Sequence, residues 1–380
     1  MSKNILIFDD EIRGHHLEYI EYLYEIASSD LKNNYFFAIP EDIEKYSNEV
    51  KAKDNIKIRL LKNSDLEYNR FKSQGKKAYY GSMLIRRLEK EFNINELFLV
   101  FIAKYLPYLA FISRKDVKIT GIIYNIYLYN WEKSSFTKKA TIYITYKILT
   151  SFDKIKYLLI LNDKSSTSIL NKIWNTHKFK YLVDPIKPFS ITPSNRLKGD
   201  RINLLHFGAI ERRKGTIEFL KALELLEPNV ANRFSVIIAG KVSKEIAAEV
   251  YDLKEKLSSK IRIKIMDKFL DTNEMEYLCK EADIYVIPYY NMAQSSGVVS
   301  YAALYNKPVI CPQNGLLGKL VKRNELVLTI KDNTPICIAE CISSITNAPK
   351  TNEDKSKEYI ISHSVKEFQK TIFDSLMERS

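Results

Sequence analysis

The sequence predicts an α/β protein built from two doubly wound parallel-sheet domains facing a cleft. Three observations predict it. Short β-rich runs alternate with amphipathic stretches in both halves of the chain, and such alternation builds parallel sheets through right-handed crossovers. The alternation is interrupted across residues 184–200, where Pro185, Pro188 and Pro193 stand among Ser and Asn residues and Gly199; proline clusters end regular structure. The length, 380 residues, suits two domains of ordinary size. The division expected is 1–190 plus a C-terminal helix at about 358–380, and 191–357.

The elements follow in order. Residues 4–8, an uninterrupted apolar run after Asn4, form a buried strand. The turn at Gly14 leads to a helix over about 17–28, where apolar residues recur at helical spacing. Residues 35–39 and 56–61, rich in β-formers, are strands, and 82–92, with Leu84, Ile85 and Leu88 on one face, is a helix. Strands follow at 97–102, 117–123 and 157–161, then a helix at 166–174 and a short strand at 180–183. After the proline-rich segment come strand 202–207, helix 216–226, strand 235–239, helix 244–257, strand 261–265, helix 273–282, strand 284–288, helix 297–305 and strand 308–311. The tail, 353–378, carries one long helical pattern. Ligands of such sheets bind outside the carboxyl ends of the strands, so the loops after strands are where function is sought.

Composition narrows the function classes. With 46% hydrophobic and 28% charged residues, a disordered chain, a collagen-like repeat and a small disulfide scaffold are excluded. The cysteines, Cys279, Cys311, Cys337 and Cys341, include no C-x-x-C pair, which predicts a reduced, cytoplasmic protein. The first apolar run is short and ends in Asp9 and Asp10, unlike a signal peptide. The most apolar stretch, 97–111, is broken by Lys104 and Pro107 and is too short to span a bilayer. The expected location is the cytoplasm, or the inner face of the cell membrane as a peripheral protein.

The net charge of +13 argues for an anionic partner, and it is uneven. Residues 1–50 carry a balance of −7, residues 51–200 one of +17, and the remainder +3. Lys76, Lys77, Arg86, Arg87 and Lys90, with Tyr79 and Tyr80 among them, suit an acidic membrane surface or a lipid-linked diphosphate. A solvated lysine-rich surface is the plainer alternative. No recognised nucleic-acid motif is present, so no nucleic-acid partner is expected.

Three turns carry chemistry. In 206–215 a strand ends at Gly208, a basic loop holds Arg212, Arg213 and Lys214, and a helix starts near Gly215. Backbone N–H groups at a helix start, with cations beside them, suit a diphosphate. Arg can clamp two oxygens while Lys supplies a point charge. In 282–303 a strand ends in Pro288, Tyr289 and Tyr290, and Ser295, Ser296 and Gly297 open the next helix. Small residues there let a ligand approach the backbone, although an ordinary serine N-cap has the same sequence. Gly315 and Gly318 after the next strand read as another close-approach loop. All three lie on carboxyl ends of strands in one domain, so they are expected to face one pocket. Upstream, His15 and His16 follow Gly14 at the first helix start, where they suit hydrogen bonding or proton handling near neutral pH; capping or packing is the alternative. His206 lies on a buried strand and reads as structural. The five His residues show no metal-ligand spacing.

On these residues the second half resembles the donor-binding domain of the retaining glycosyltransferases of family 4. That family has a strand ending in Gly, a loop to Lys-Gly, an Ala-Asp strand ending in Pro, a loop and helix, and then Lys-Pro-Val-Ile. Gly208 to Gly215, Ala282 to Pro288 and Gly297 to Ile310 follow it in order and spacing. The resemblance covers about residues 200–330; the first half shares only the architecture and Gly14. It implies the B-type glycosyltransferase fold, two Rossmann-like domains with the C-terminal helix crossing back to the first.

The resemblance also implies roles. Lys214 would contact the donor diphosphate with Arg213 beside it, and Arg212 or Arg213 would replace the Arg that often follows the strand-end Gly208, here Ala209. Ser295, Ser296, Gly297, Val298 and Val299 would receive donor sugar and phosphate. Lys268, Phe269 and Leu270 fall where the backbone meets the base, and Gly14 approaches the reactive sugar. The chain departs from the family at the Glu pair around this turn: Gln294 stands near the first position and Tyr301 at the second, which usually holds the donor ribose. The expected activity is transfer of a hexose, with retention, from a UDP- or GDP-sugar to a surface-polysaccharide or lipid-linked glycan acceptor. His15, His16, Arg213 and Lys214 form the expected catalytic set, with no metal and no cofactor. Two alternatives share the fold: a catalytically silent nucleotide- or glycan-binding protein, and a sugar-nucleotide epimerase that needs no acceptor.

Overall fold

The computed structural model describes the chain except residues 1, 13–14, 133, 187–199, 291–292, 294–295, 348 and 379–380. Two compact units emerge, residues 1–184 with 365–380 and residues 185–364. The first unit runs β1 (Asn4–Phe8), α1 (His15–Ser29), β2 (Asn34–Pro40), β3 (Ile56–Leu61), α2 (Gln74–Glu91), β4 (Glu96–Leu99), α3 (Tyr108–Ile112), β5 (Lys118–Ile123), α4 (Phe136–Ser151), β6 (Ile155–Leu161), α5 (Lys164–Trp174) and β7 (Phe179–Leu182). The second unit holds β8 (Ile202–Phe207), α6 (Thr216–Glu224), α7 (Pro228–Ala231), β9 (Phe234–Ala239), α8 (Ala247–Leu257), β10 (Arg262–Met266), α9 (Thr272–Glu281), β11 (Ile284–Val286), α10 (Gly297–Leu304), β12 (Val309–Pro312), α11 (Gly315–Arg323), β13 (Val327–Ile330), α12 (Pro335–Ser344) and α13 (Glu353–Ser362). Helix α14 (Val365–Met377) returns to the first unit.

Both sheets are parallel. The first has the order β3-β2-β1-β4-β5-β6-β7 and the second β10-β9-β8-β11-β12-β13. In each the strand order reverses beside the first strand, between β1 and β4 and between β8 and β11. That reversal opens the crevice where doubly wound sheets take their ligands. The buried strands read as continuous apolar runs because helices cover both faces. On one face of the first sheet, Leu6, Leu97 and Leu158 meet Leu88 of α2, Leu149 of α4 and Leu170 of α5. On the other, Ile5, Phe98 and Leu159 meet Ile20 of α1 and Phe368 and Ile372 of α14.

Several elements differ from expectation. Helix α2 begins at the Ser73 cap, whose Oγ accepts from the Lys76 N–H, well before residue 82. Helix α4 has no counterpart in the sequence reading: only Tyr146 and Leu149 are buried along it, so no apolar stripe marks it. Gly315 and Gly318 belong to α11 and not to a loop. A Cβ on Gly318 would lie 2.2 Å from the Gln313 carbonyl oxygen, so its glycine serves close helix packing. The long tail is two helices. His363 ends α13, its ring stacked 3.8 Å from that of Tyr359 and its carbonyl accepting from the Ile186 N–H. Residues 358–364 therefore lie with the second unit, and only 365–380 with the first.

Candidate active site

The reversal point of the second sheet carries the basic loop. Gly208 ends β8 with φ +112°, and Gly240, at φ +139°, comes so close that a Cβ on it would lie 1.8 Å from the Gly208 carbonyl oxygen. The chain then makes one turn at Arg212, Arg213 and Lys214 and enters α6 through Gly215, at φ +71°. A Cβ on Gly215 would lie 2.0 Å from the Pro288 carbonyl oxygen, so the loop lies flat against the end of β11. The Tyr290 N–H donates to the Arg213 carbonyl at 3.0 Å and closes the contact.

Pro288, Tyr289 and Tyr290 join this loop to the start of α10. The Lys214 ammonium sits 3.8 Å from the centroid of the Tyr289 ring, a cation–π contact that holds the side chain over the strand end. At the other end of that ring, the Ser296 hydroxyl donates to the Tyr289 hydroxyl oxygen at 3.3 Å. Ser296 is also the N-cap of α10, its Oγ accepting from the Val298 N–H. Cation, aromatic ring and helix N-terminus thus form one construction. Val298 and Val299 are buried and root it in the core.

His206 fastens the same region from below. Its Nδ1–H donates to the Val286 carbonyl and its Nε2 accepts from the Thr216 hydroxyl, both at 2.9 Å. It thereby ties β8, β11 and α6 together. Burial pushes its pKa down to about 4, so it is neutral and structural, as expected.

Arg212 is engaged by Glu245 and Glu249 of the α8 region, and Arg213 by Glu211. Lys268 pairs with Glu274 of α9. Phe269 is 86% exposed, whereas Leu270 packs on the core below. Gly297 starts α10. Tyr301, at the position where the family has its second Glu, is half-buried with its ring 5.9 Å from that of Phe207. Gly14, Gln294 and Ser295 lie outside the described residues.

The reversal point of the first sheet holds the expected His16 together with two acids that the sequence did not single out. Asp9 and Asp10 follow β1 and are both buried. Nδ1 of His16 lies 2.7 Å from Asp9 Oδ2, and the His16 ring stacks on Tyr124 at 6.0 Å. Burial drives the Asp9 carboxyl up to about 6. Burial alone would lower His16, but the hydrogen bond and charge of Asp9 outweigh it and raise its pKa. The two side chains form one hydrogen-bonded pair. Asp10 accepts from the Tyr68 hydroxyl at 2.6 Å and from Lys104 at 2.5 Å. His15, by contrast, is more exposed and turns to Glu18. Two adjacent acids directly after the first strand are the sequence signal for this cluster. Asp10, His16, Asn69, Lys77, Lys104 and Tyr108 line a cavity of about 1040 Å³ in this unit. Among the described residues, no group of three or more His, Cys, Asp or Glu is arranged to hold a metal ion, and no helix is long and apolar enough to cross a membrane.

The family model of glycosyl transferases group 1 matches residues 190–360. No curated protein matches the chain by sequence. HepE of Anabaena, solved with UDP and glucose, is 15% identical over 98% of this chain and 99% of its own, with a TM-score of 0.69. A glycosyltransferase from Rickettsia africae is 15% identical over all of both chains, with a TM-score of 0.67. WaaG, a glycosyltransferase involved in lipopolysaccharide biosynthesis, is 14% identical over 99% of this chain and 100% of its own, with a TM-score of 0.65. At such identities the structural likeness is one of fold. The chain has the B-type glycosyltransferase fold, and its residues 190–360 match the model of the glycosyl transferases group 1 family.

Proposed function

We propose that the protein is a retaining hexosyltransferase that takes its sugar from a UDP- or GDP-sugar and passes it to a surface-polysaccharide or lipid-borne glycan acceptor. The observation that carries this reading is Lys214, held over Tyr289 beside the N-terminus of α10, at the reversal point of the sheet within the matched region. Breaking the bond from sugar to diphosphate builds negative charge on the leaving group. A fixed ammonium and the positive end of a helix dipole stabilise that charge without reorganising. The reading therefore needs no metal, and turnover is expected to survive EDTA. In the first unit, His16 is held through Nδ1 by Asp9, which leaves Nε2 for a sugar hydroxyl. That unit is read as the acceptor side. UDP-bound relatives of the same fold support the donor class, with HepE solved on UDP and glucose.

The test is nucleotide release from a panel of UDP- and GDP-sugars, with the product anomer read by NMR. Lys214→Ala is expected to lower turnover about 100-fold, the loss typical of removing one donor to a developing anion. Full turnover in that variant would remove the phosphate assignment. A second reading, a nucleotide-sugar binder without transfer, is favoured by one observation. Tyr301 stands where the family's ribose-holding Glu is found and packs into the wall with Phe207. Thermal stabilisation by sugar nucleotides with no release from any of them would select that reading.

A further inference from the structure

We infer that the outer face of α2, with the segment that leads into it from β3, is a binding track for a neutral glycan chain. Tyr108, which lines the cavity beside Asp10 and His16, opens the track. The ring centroids of Tyr108 and Tyr79 lie 5.8 Å apart, those of Tyr79 and Tyr80 5.2 Å, and those of Tyr80 and Phe71 5.2 Å. Each step is close to the length of one pyranose residue. The four rings are between 38% and 49% exposed. None of the three pairs stacks face to face, since the ring planes meet at 84°, 86° and 37°. Ring faces therefore stay open to a ligand. The track ends in a second cavity of about 560 Å³, bounded by Phe71, Tyr80 and Met83 and by the polar side chains of Asp65, Glu67 and Arg87.

The backbone beneath the rings is fixed. A Cβ on Gly81 would lie 2.7 Å from the Tyr105 ring and 3.1 Å from that of Tyr68, so α2 packs tightly on the core and holds its aromatic ridge outward. Tyr68 pins the segment that carries Glu67 and Phe71, its hydroxyl donating to Asp10 at 2.6 Å. A preorganised surface binds at lower entropic cost. The chemistry is that of sugar recognition. Pyranose rings present apolar C–H faces and hydroxyl edges; aromatic rings take the faces, while carboxylates and guanidinium groups take the hydroxyls. Asp65 accepts from Arg87 at 2.8 Å and from the Lys62 N–H at 3.2 Å, which holds both charged groups at the cavity wall. Glu67 is exposed beside them. Two acids at this end disfavour an anionic occupant such as nucleic acid or anionic lipid, and they suit a neutral one rich in hydroxyl donors. The inference deepens the reading of the first unit as the acceptor side and rests on it: the acceptor is a chain, gripped several sugars behind its reacting end.

The test is glycan binding by the full chain without sugar nucleotide. The probes are cellohexaose, maltohexaose, laminarihexaose and chitohexaose, their disaccharides, and an array of neutral bacterial surface polysaccharides. At least one long glycan is expected to bind, and its disaccharide to bind about tenfold more weakly. Phe71→Ala and Tyr80→Ala are each expected to weaken the long glycan about tenfold and to leave the disaccharide unchanged. Tyr80→Phe keeps the ring and is expected to stay within about twofold of wild type. The exchanged side chains are exposed, and an unchanged melting temperature certifies the fold. Retention of no glycan overturns the inference. So does a long glycan that binds both alanine variants as it binds wild type, and so does binding of phosphatidylglycerol vesicles or nucleic acid at these rings in place of any glycan. Transfer assays keep this outcome apart from that of the transferase reading. Glycan binding without transfer from any sugar nucleotide leaves the track standing and removes the reading. Transfer with the same KM for long and short acceptors, unchanged in Phe71→Ala, leaves the reading and removes the track.

Discussion

Tyr289 has two jobs, and substitution separates them. Its ring face holds the Lys214 ammonium and its hydroxyl fastens Ser296. Tyr289→Phe keeps the ring and is expected to leave nucleoside-diphosphate affinity within about twofold, since a desolvated cation–π contact is worth roughly 1–2 kcal/mol and the exchange preserves it. Tyr289→Leu loses it, and calorimetric titration with UDP or GDP is expected to show affinity about tenfold weaker. Equal affinities in both variants would mean that Lys214 is held by something else. His206 gives a second residue-scale expectation. Its charged form is disfavoured in the fold, which holds its pKa near 4 against an ordinary 6.5. Its contribution to stability is complete above 6.5 and is lost as pH falls toward 4, by roughly 3 kcal/mol at 1.36 kcal/mol per unit. His363 in the same unit is likewise pushed down to about 4 by burial. Denaturant unfolding of the second unit is thus expected to weaken steeply between pH 6.5 and 4, and His206→Gln to flatten that dependence by about half.

At the scale of elements, the decisive contact is the one between the β8–α6 loop and the end of β11. Gly215 is the residue that permits it, since it combines a left-handed φ with a carbonyl 2.0 Å from where a Cβ would stand. Gly215→Ala is expected to destabilise the second unit by about 2 kcal/mol or more and to raise the nucleotide concentration needed for half-saturation; a thermal melt with and without UDP reads both. This glycine was legible in the sequence because a strand end, a basic loop and a helix start follow one another within ten residues. The Ser296 cap was legible for the same reason. Tyr289 as the seat of Lys214 was not, because the two residues are 75 positions apart and meet only once β8 and β11 are neighbours in the sheet. Helix α4 escaped because its apolar residues point outward as well as inward, and periodicity registers only a helix with one buried stripe. The tail read as a single helix because its helical pattern continues through His363 and Ser364. What divides it there is tertiary: the Tyr359–His363 stack and the bond from Ile186 to the His363 carbonyl.

At the scale of the whole chain, the first unit is assembled from two separate lengths of sequence, and its last sixteen residues complete it. Phe368, Ile372 and Leu376 of α14 are fully buried against the sheet face that α1 also covers. The ammonium groups of Lys3 and Lys156 both donate to the Leu376 carbonyl, at 2.7 and 3.1 Å, and so fill the open C-terminus of that helix. Three large apolar side chains at roughly 2 kcal/mol each amount to much of the 5–15 kcal/mol that keeps a domain folded. Their removal would leave an apolar face in water and the buried Lys156 without that acceptor. A chain ending at residue 364 is therefore expected to lose the folded first unit. The second unit, whose own core is built from residues 185–364 alone, is expected to keep its fold. Calorimetry distinguishes the two, because a nucleoside diphosphate should raise the melting temperature of the truncated chain's remaining transition by as much as it raises that of the second unit in the full chain. If truncation leaves both transitions in place, α14 is an ornament on the first unit and not part of its core; if it removes both, the second unit's stability depends on the first in a way its own core does not require.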